Sequence, residues 1–320
     1  MGLPGEFALI ARHFAPLAGA GALDLSDDAA LLDPPLGRTL VLAADAMVEG
    51  VHFLPEDPPS TVARKLLRVN LSDLAAMGAE PLGYLLTTAF TRGTPDAWVR
   101  DFAAGLAEDQ AAFGLSVLGG DTVATPGPAT FSLTILGTVA PGRALRRRGA
   151  RPGDEVWVSG TIGDGALGLL TLTGQLPADD ALAQRYRLPE PRLALGRALP
   201  GIARAAMDVS DGLAQDLGHL CRQGGCGALI EALRVPLSPA ARAVLRGSPA
   251  LLPRLLTGGD DYELLFTAAP GDAPRVEAAS REAGVPVTRI GRIVAGDAVT
   301  VLDGQGNALA LGAGGWSHFE

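Results

Sequence analysis

Residues Asn70–Pro81 read Asn-Leu-Ser-Asp-Leu-Ala-Ala-Met-Gly-Ala-Glu-Pro, and they close a helical pattern that begins near Thr61. Apolar residues recur there at spacings of four and three, which marks one face of an α-helix, and Asp73 occupies a position of that face. Gly78 and Pro81 predict where the helix ends. A carboxylate on a core-facing stripe is costly unless it is paired or binds a metal. Asp73 therefore either lies at the edge of the stripe, caps a further short helix, or is a buried metal ligand.

The composition describes a compact protein of two domains. The chain has 320 residues, 48% of them hydrophobic, with 42 Gly and 24 Pro. No apolar run reaches the ~18 residues of a membrane span, and no signal peptide is visible, so we expect no membrane contact. The two cysteines fit a reducing cytoplasm. A net charge of −9 argues against nucleic acid as a partner.

Lysine is nearly absent from this chain. Lys65 is the single lysine among 26 basic residues, and no glycine-rich loop precedes it. A P-loop requires Gly-Lys-Ser/Thr after such a loop, so this class of nucleotide site is excluded. If the protein handles phosphate, it must do so with metals, Arg and backbone amides.

Aspartates follow several apolar runs at predicted turns. Such runs end at Asp45, Asp121 and Asp208, and further aspartates stand at Asp28 and Asp211. One such Asp is usually a turn residue or a helix N-cap. Six of them, with Asp73 included, would repel one another strongly in a single cleft, so cations must be present. Oxygen-only ligands favour Mg²⁺, and several Mg²⁺ without a P-loop suggest metal-bound ATP phosphates.

Strands and helices alternate in both halves of the chain, which predicts a layered α/β or α+β architecture. We expect strands over Thr39–Ala44, Leu115–Leu118, Thr130–Val139 and Asp260–Thr267, among others. We also expect a helix over Asp96–Phe113, and a second helix after Asp211-Gly212 with Leu213, Leu217 and Leu220 on one face. The segment Pro141–Asp154 is rich in Arg, Gly and Pro between apolar strands. We therefore divide the chain into residues 1–140 and 141–320.

Six motifs in order along the chain carry a resemblance to a known family. They are Asp27-Asp28-Ala-Ala-Leu-Leu, Asp45-Ala-Met-Val-Glu-Gly-Val-His52-Phe, Asn70-Leu-Ser-Asp73-Leu-Ala-Ala-Met-Gly, Gly119-Gly-Asp121-Thr, Asp208-Val-Ser-Asp211-Gly-Leu and Gly258-Gly-Asp-Asp-Tyr-Glu263. Together they resemble bacterial thiamine-monophosphate kinases, members of the superfamily of aminoimidazole ribonucleotide synthetase and selenophosphate synthetase. The resemblance covers the whole chain.

The resemblance implies a fold, an activity and an assembly. Each domain would be a mixed β-sheet covered by helices, with an N-terminal domain for ATP, metal and dimerisation and a C-terminal domain that completes the nucleotide and substrate site. The activity would be ATP- and Mg²⁺-dependent phosphorylation of thiamine monophosphate to thiamine diphosphate, with release of ADP. The protein would be a cytoplasmic homodimer.

The resemblance also implies roles for individual residues. Metal ligands would be Asp28, Asp45, Asp73, Asp121, Asp208 and Asp211, of which Asp73, Asp121 and Asp211 would be central to catalysis. ATP contacts would be Gly120, Asp121, Arg147 and Ser210, and substrate contacts His52, Asp260 and Trp316. On the residues alone, His52 equally fits a surface strand edge, Trp316 an apolar plug and Arg147 a solvated linker.

Four residues depart from the usual family pattern, the first being Ser26, which stands where a Gly usually precedes the Asp-Asp pair. Ala43 and Ala44 stand where hydroxyl residues are usual, so only their backbone carbonyls could reach a metal, and Asp260 replaces a usual Glu. Two other readings therefore stay open. One is a superfamily enzyme with a different acceptor, such as the synthetase of purine synthesis. The other is a nucleotide- or thiamine-binding protein without catalysis.

Overall fold

The computed structural model describes residues 5–312 and 315–316 of the chain. It separates into two compact units. The first comprises the described residues up to Leu74 together with Ala79–Pro141, and the second comprises Ala75–Gly78 and the described residues from Gly142 onward. Among the described helices, none combines the length and the apolar character needed to cross a bilayer.

The first unit is a mixed sheet with helices. Its helices and strands in chain order are α1 (Glu6–Leu9), β1 (Thr39–Val48), α2 (Pro59–Ala76), β2 (Glu80–Thr91), α3 (Asp96–Phe113), β3 (Val117–Thr125) and β4 (Thr130–Val139). A π-helical turn, Ile10–Phe14, extends α1. The sheet order among the described strands of this unit is β1-β4-β2-β3, antiparallel except for the β2–β3 pair. That parallel pair needs a crossover, which α3 provides.

The core of the first unit lies between its helices and one face of the sheet. Alternate residues of β4, Phe131, Leu133 and Ile135, are fully buried there. Phe102 of α3 packs on Phe131 with ring centroids 4.8 Å apart. The opposite face carries exposed apolar side chains, among them Leu42 of β1.

The second unit is a larger sheet with helices. Its elements are β5 (Glu155–Ser159), α4 (Asp164–Leu172), α5 (Asp180–Arg187), α6 (Leu193–Ala198), β6 (Ala203–Asp208), α7 (Leu213–Gly224), β7 (Gly227–Glu231), α8 (Pro239–Gly247), α9 (Leu252–Thr257), β8 (Leu264–Ala268), α10 (Ala273–Ala283), β9 (Val287–Val294) and β10 (Val299–Leu302). Among its described strands the order is β10-β7-β9-β5-β8-β6, and only the outer β10–β7 pair is parallel.

A buried aliphatic core joins this second sheet to α7. Leu213, Leu217 and Leu220 lie on one face of the helix and are buried against Val156 and Val158 of the central strand. The predicted stripe of α7 is thereby confirmed. Because α7 begins directly after β6, this packing also fixes the turn that joins them.

Several sequence predictions are confirmed. The fold class is confirmed, since each unit is a mixed sheet packed with helices. The helix that carries Asp73 spans Pro59–Ala76, and Gly78, which has a φ of 68°, lies just past its end as predicted. The Gly78 N–H donates to the Ala75 carbonyl, and the Ala79 N–H to the Leu74 carbonyl. This paired arrangement satisfies carbonyls that would otherwise lack partners at the helix end.

Three strand predictions are wrong in their limits. Asp45 and Asp121 lie inside β1 and β3 rather than beyond the ends of strands. Both strands continue because their neighbours supply hydrogen bonds through these residues, which overrides the weak β-propensity of Asp and Gly. Asp260 precedes its strand by several residues, since β8 begins only at Leu264. Asp208 does end β6, as predicted.

Candidate active site

One face of the first unit's sheet borders a cavity of about 620 Å³. Three predicted site residues line it: Asp28 from the segment before β1, and Gly120 and Asp121 from β3. Asp121 pairs with Thr87 of β2, so its side chain lies on the sheet face where Thr87 is exposed. Two carboxylates therefore meet exposed glycine backbone here. This set of oxygen atoms suits a hard cation that carries a phosphate.

Asp45 lies on the opposite face of the same sheet. Its register partner is Leu133, which is fully buried, whereas Asp121 belongs to the open face. The backbone N–H of Asp45 donates to Oδ1 of Asn70 at 3.1 Å. Asn70 is itself buried in α2, so the motif that carries Asp73 also binds the edge of β1.

Asp73 is half-buried, not buried, in the helix α2. The apolar residues of its stripe, Val62, Leu66 and Val69, are all buried. Asp73 therefore lies at the edge of the apolar stripe, which is the first of the three alternatives that the sequence left open. Its metal role stays a prediction, and partial exposure leaves the carboxylate accessible to an ion.

His52 lies in the turn that follows β1. Its backbone N–H donates to the Val48 carbonyl at 2.9 Å, and its ring Nδ1 accepts the Val48 N–H at 3.0 Å. The side chain of Lys65 donates to the His52 carbonyl at 2.9 Å. The backbone and the ring of this predicted substrate residue are thus both fixed by the first unit.

In the second unit, the turn between β6 and α7 is held by one carboxylate oxygen. Oδ2 of Asp216 accepts the backbone N–H groups of Ser210, Asp211 and Gly212 at 3.0, 3.0 and 3.1 Å. Gly212 has a φ of 123°, and a Cβ there would lie 2.6 Å from the Thr257 carbonyl group, so only glycine fits. Two predicted site residues, Ser210 and Asp211, are therefore fixed on a tight turn.

Acidic side chains are crowded at this turn. Burial, followed by the nearby carboxylates of Asp208 and Asp211, raises the pKa of Asp216 to about 8. Ligand atoms of Asp211, Asp216 and His219 lie within 4.8 Å of one another. Because each like charge disfavours ionisation of the next, a bound cation would relieve the repulsion. These residues accordingly fit a divalent metal ion.

The segment that carries Asp260 is anchored on both sides. Asp260 and Tyr262 have positive φ values of 68° and 52°, which is unusual for residues other than glycine. The carboxylate of Asp261, between them, accepts the N–H groups of Gly163 and Gly165. Burial raises the pKa of Asp261 well above its usual range, although these two amides partly offset it.

Asp260 is also joined to the turn after β6. Its backbone N–H donates to the Ser210 carbonyl at 2.9 Å. On the far side, Glu263 is fully buried, and its carboxylate binds both Arg185 and Arg192. A buried ion pair that lost one partner would leave an uncompensated charge, so this group holds the segment in place.

Trp316 lies against the same turn. The backbone N–H of Trp316 donates to the Asp211 carbonyl at 3.0 Å. The backbone carbonyl of Trp316 accepts a hydrogen bond from Nε2 of Gln215 at 2.8 Å. The residue is half exposed. Trp316 therefore contacts Asp211, while Asp260 contacts the neighbouring Ser210, and the shared substrate site stays a prediction.

Arg147 is exposed near α7. The pKa of His219 is lowered by burial first, then by the charges of Arg222 and Arg147, which places the Arg147 guanidinium within electrostatic range of the helix. A cation at this place suits a phosphate, and its ATP role stays a prediction.

Sequence reasoning missed the residues that hold the site together. Asn70, Asp216, Asp261 and Glu263 are all buried and each binds backbone or charged groups of a predicted site segment. Asn70, Asp261 and Glu263 stand inside the motifs that carry the family resemblance, and Asp216 lies just beyond one of them. A polar residue next to a functional one was the available signal, but sequence alone gave no direction for its side chain.

Two family models match the chain in succession. Residues 26–139 match the N-terminal domain of AIR synthase related proteins, and residues 151–304 match their C-terminal domain. The thiamine-monophosphate kinase of Caulobacter vibrioides is 48% identical over 321 residues, covering 98% of this chain and 91% of the relative. The chain belongs to the thiamine-monophosphate kinase family.

Solved structures of this family share the fold. The crystal structure of the thiamine-monophosphate kinase from Stenotrophomonas maltophilia K279a is 40% identical with a TM-score of 0.81, covering 89% of this chain and 91% of that one. A structure of AaThiL complexed with AMPPCP and TMP is 31% identical with a TM-score of 0.79, covering 92% and 91%. The resemblance found in the sequence is thereby confirmed.

Proposed function

We propose that this protein transfers the γ-phosphoryl group of ATP to thiamine monophosphate, giving thiamine diphosphate and ADP. The observation that carries this proposal is near-full-length similarity to thiamine-monophosphate kinases, one of which is solved with an ATP analogue and TMP. The acidic turn in the second unit and the acidic cavity in the first supply the chemistry that the reaction needs.

Magnesium is the metal we propose for both acidic regions. In the first unit, Asp28 and Asp121 would hold it at the cavity, and Asp45 and Asp73 at the junction of β1 with α2. In the second unit, Asp208 and Asp211 would hold it beside the buried Asp216. A bound Mg²⁺ neutralises phosphate charge and orients the transferred group.

The protein's own groups would position two anions against each other. The acceptor oxygen of a phosphate monoester is largely ionised near neutral pH, so the reaction needs alignment more than a general base. Gly120 would let its backbone approach ATP closely, and Ser210 would bind ATP from a turn that Asp216 holds rigid. Arg147 would supply a fixed positive charge to the phosphates.

Thiamine monophosphate carries a cationic thiazolium ring, which suits Trp316 and Asp260. A ring face of Trp316 would gain ~0.5–2 kcal/mol from such a cation. The Asp260 carboxylate stands on a segment held by its backbone, so its reach is set by the fold rather than by side-chain freedom. His52 would bind the substrate from the first unit.

Product analysis tests the proposal directly. Purified protein is incubated with ATP, Mg²⁺ and thiamine monophosphate, with thiamine and the purine-pathway acceptor of aminoimidazole ribonucleotide synthetase in parallel. Thiamine diphosphate formed from the monophosphate alone is the expected result. Tight binding of both substrates without product would overturn the kinase in favour of a binding protein, and would direct attention to Ala43, Ala44 and Asp260.

We also propose a cytoplasmic homodimer. Outside the lining of the cavity, the open face of the first unit's sheet exposes the apolar side chains of Leu40 and Leu42 on β1 and of Val123 on β3. An apolar sheet face of this kind is typical of a protein interface, and a second copy of the chain would cover it. ATP and thiamine monophosphate as substrates support a cytoplasmic location.

A further inference from the structure

Lys65 is the single lysine of the chain, and it is buried. The other 25 of its 26 basic residues are Arg, and the Lys65 residue is only 2% exposed. Burying an ammonium group is costly unless hydrogen bonds compensate it. A chain that uses Arg everywhere else keeps a compact ammonium at one enclosed position, which indicates a specific requirement there.

The ammonium of Lys65 reaches across to the turn after β1. Nζ donates to the backbone carbonyl of His52 at 2.9 Å. The same turn is closed by the His52 N–H to the Val48 carbonyl at 2.9 Å and by the Gly50 N–H to the Phe53 carbonyl at 2.8 Å. Lys65 stands on α2, which is rigidly packed in the core, so its bond ties a loop to a fixed helix.

The imidazole of His52 is also fixed, and in one particular protonation form. The Val48 N–H donates to Nδ1 at 3.0 Å. A backbone N–H can donate only to a ring nitrogen that carries a lone pair, so Nδ1 bears no proton. The proton of the neutral ring is then on Nε2, which makes that atom a hydrogen-bond donor.

We propose that Lys65 is a positioning residue which, with the Val48 amide, holds His52 as the neutral Nε2–H tautomer, so that His52 meets the substrate phosphate as a hydrogen-bond donor. This inference rests on the proposed function for the identity of the substrate. A donor is the form that a phosphate oxygen requires, since the phosphate itself offers only acceptors when ionised. Lys65 acts through the loop and need not touch the substrate.

Nitrogen NMR of the imidazole rings tests the tautomer without any activity measurement. The protein is labelled with ¹⁵N-histidine, and the His52 signals are assigned by their loss in His52→Asn. At neutral pH we expect an unprotonated Nδ1 and a protonated Nε2 for His52. A proton on Nδ1 would overturn the inference, and this readout stands even if the protein does not phosphorylate thiamine monophosphate.

Kinetics of Lys65→Met test the positioning role. We expect the KM for thiamine monophosphate to rise roughly tenfold to a hundredfold, the range for loss of a charged hydrogen bond, while the KM for ATP changes little. Arg64→Met is the matched control, because it removes a cation from the same helix that pairs with Asp109 and Glu108 instead. It should leave both KM values near those of the wild type.

Two further outcomes decide the matter. Equal rises of both KM values in Lys65→Met, or no rise at all, would show that Lys65 has no selective role toward the substrate site. If Lys65→Met fails to fold, a sample of the wild type labelled at lysine Nζ gives one side-chain signal from a single residue. That signal should shift when thiamine monophosphate binds, and an unchanged signal at saturation would contradict the proposal.

Discussion

Asp211 takes part in three contacts of the second unit's site. Its N–H donates to Asp216, its carbonyl accepts the Trp316 N–H, and its carboxylate lies 3.4 Å from Nε2 of Gln215. Only the carboxylate would change in Asp211→Asn, because the other two contacts use the backbone. Asp211→Asn therefore removes the negative charge and keeps the backbone contacts of the turn.

We expect Asp211→Asn to lower kcat roughly a hundredfold or more, with a melting temperature close to that of the wild type, because a metal-binding charge is lost while the turn is retained. Steady-state kinetics at several Mg²⁺ concentrations and a thermal melt provide the measurement. Asp180→Asn, an exposed change at the start of α5, is the control. Full activity in Asp211→Asn would remove Asp211 from the list of metal ligands.

The two cysteines are buried thiols. Burial, and then the neighbouring Cys226, raises the pKa of Cys221 to about 12. Since the thiolate is the reactive form, native protein at pH 8 should resist iodoacetamide, and both thiols should react after unfolding in guanidinium chloride. Mass spectrometry counts the labels. Rapid modification of either cysteine in the native protein would contradict this expectation.

At the scale of single residues, the candidate site residues could be predicted from the sequence, but the buried residues that hold them in place could not. The six aspartates and His52 stand out because their types and motifs are informative. Asp216 could not be recognised as the acceptor of three amides, because that depends on the turn that brings Ser210, Asp211 and Gly212 around one oxygen. The position of Asp73 at the edge of its stripe likewise depended on what packs beside the helix.

Among the elements, β3 has a backbone position that only glycine fits. Gly120 has a φ of 154°, and a Cβ there would overlap the carbonyl oxygen of Leu86 on β2. Gly120→Ala should therefore lower the free energy of unfolding by about 1–3 kcal/mol through local overpacking. It should also raise the KM for ATP.

Urea unfolding and ATP kinetics measure the two effects of Gly120→Ala. Gly127→Ala is the matched control, since a Cβ at Gly127 would meet its nearest neighbour, Oγ1 of Thr125, at an ordinary 3.6 Å. Equal unfolding free energies for the two variants would show that the strand adjusts to a side chain at Gly120.

A charged contact joins the turn after α1 to the start of α3. His13 Nε2 lies 2.9 Å from Asp96, and this hydrogen bond, with the nearby Arg12 charge, holds the pKa of Asp96 below its usual range. A carboxyl whose pKa is lowered on folding stabilises the fold above its unfolded pKa and loses that contribution as the pH falls through the folded value. Acid should therefore weaken this link.

The destabilisation caused by Asp96→Asn should be largest near neutral pH and should decline at pH values below about 4, the usual range of aspartate. Urea unfolding at several pH values measures it. Asp101→Asn on the same helix is the control, because in the described part of the chain its carboxylate pairs with the adjacent, exposed Arg100. A pH-independent difference for Asp96→Asn would show that the contact with His13 is not ionic.

Helices and strands were predicted correctly where the hydrophobic periodicity extended over many residues. Predictions failed where pairing with a neighbouring strand set the limits of a strand. The helix Asp96–Phe113 and the strand Thr130–Val139 were predicted with their observed limits. The strand through Asp121 was predicted to stop at the glycines, because Gly-Gly-Asp is a typical turn sequence. Pairing with β2 extends it to Thr125, a tertiary effect that local sequence does not contain.

For the molecule as a whole, the open sheet face of the first unit predicts association. Leu42 is 62% exposed on β1, an outer strand of this sheet. Leu42→Arg should convert the proposed homodimer to a monomer at micromolar concentration, because it places a charge in an apolar interface. Light scattering during gel filtration measures the mass.

Leu233→Arg serves as the control for this change, because Leu233 is 80% exposed in the second unit. It should leave the dimer intact. A wild-type protein that is monomeric, or a Leu42→Arg variant that remains dimeric, would refute the assignment of this face.

The fold class and the family could be predicted from the whole sequence, whereas the order of the strands could not. Alternating strands and helices were sufficient to predict the fold class, and six motifs in succession were sufficient to predict the family. The parallel pairs β2–β3 and β7–β10 are set by crossover connections and by contacts between distant residues. The strand β7 and the helix α8 were not predicted at all, since short elements carry little periodic signal.

The single lysine also allows local unfolding of α2 to be measured by proteolysis. An endoproteinase that cleaves only after lysine has a single target bond, between Lys65 and Leu66, in the buried middle of α2. The native molecule should resist it, and each excursion that exposes α2 should yield one cut and two fragments, residues 1–65 and 66–320. Digestion rates with and without nucleotide would then measure how often this helix unfolds locally, and the measurement needs no introduced label.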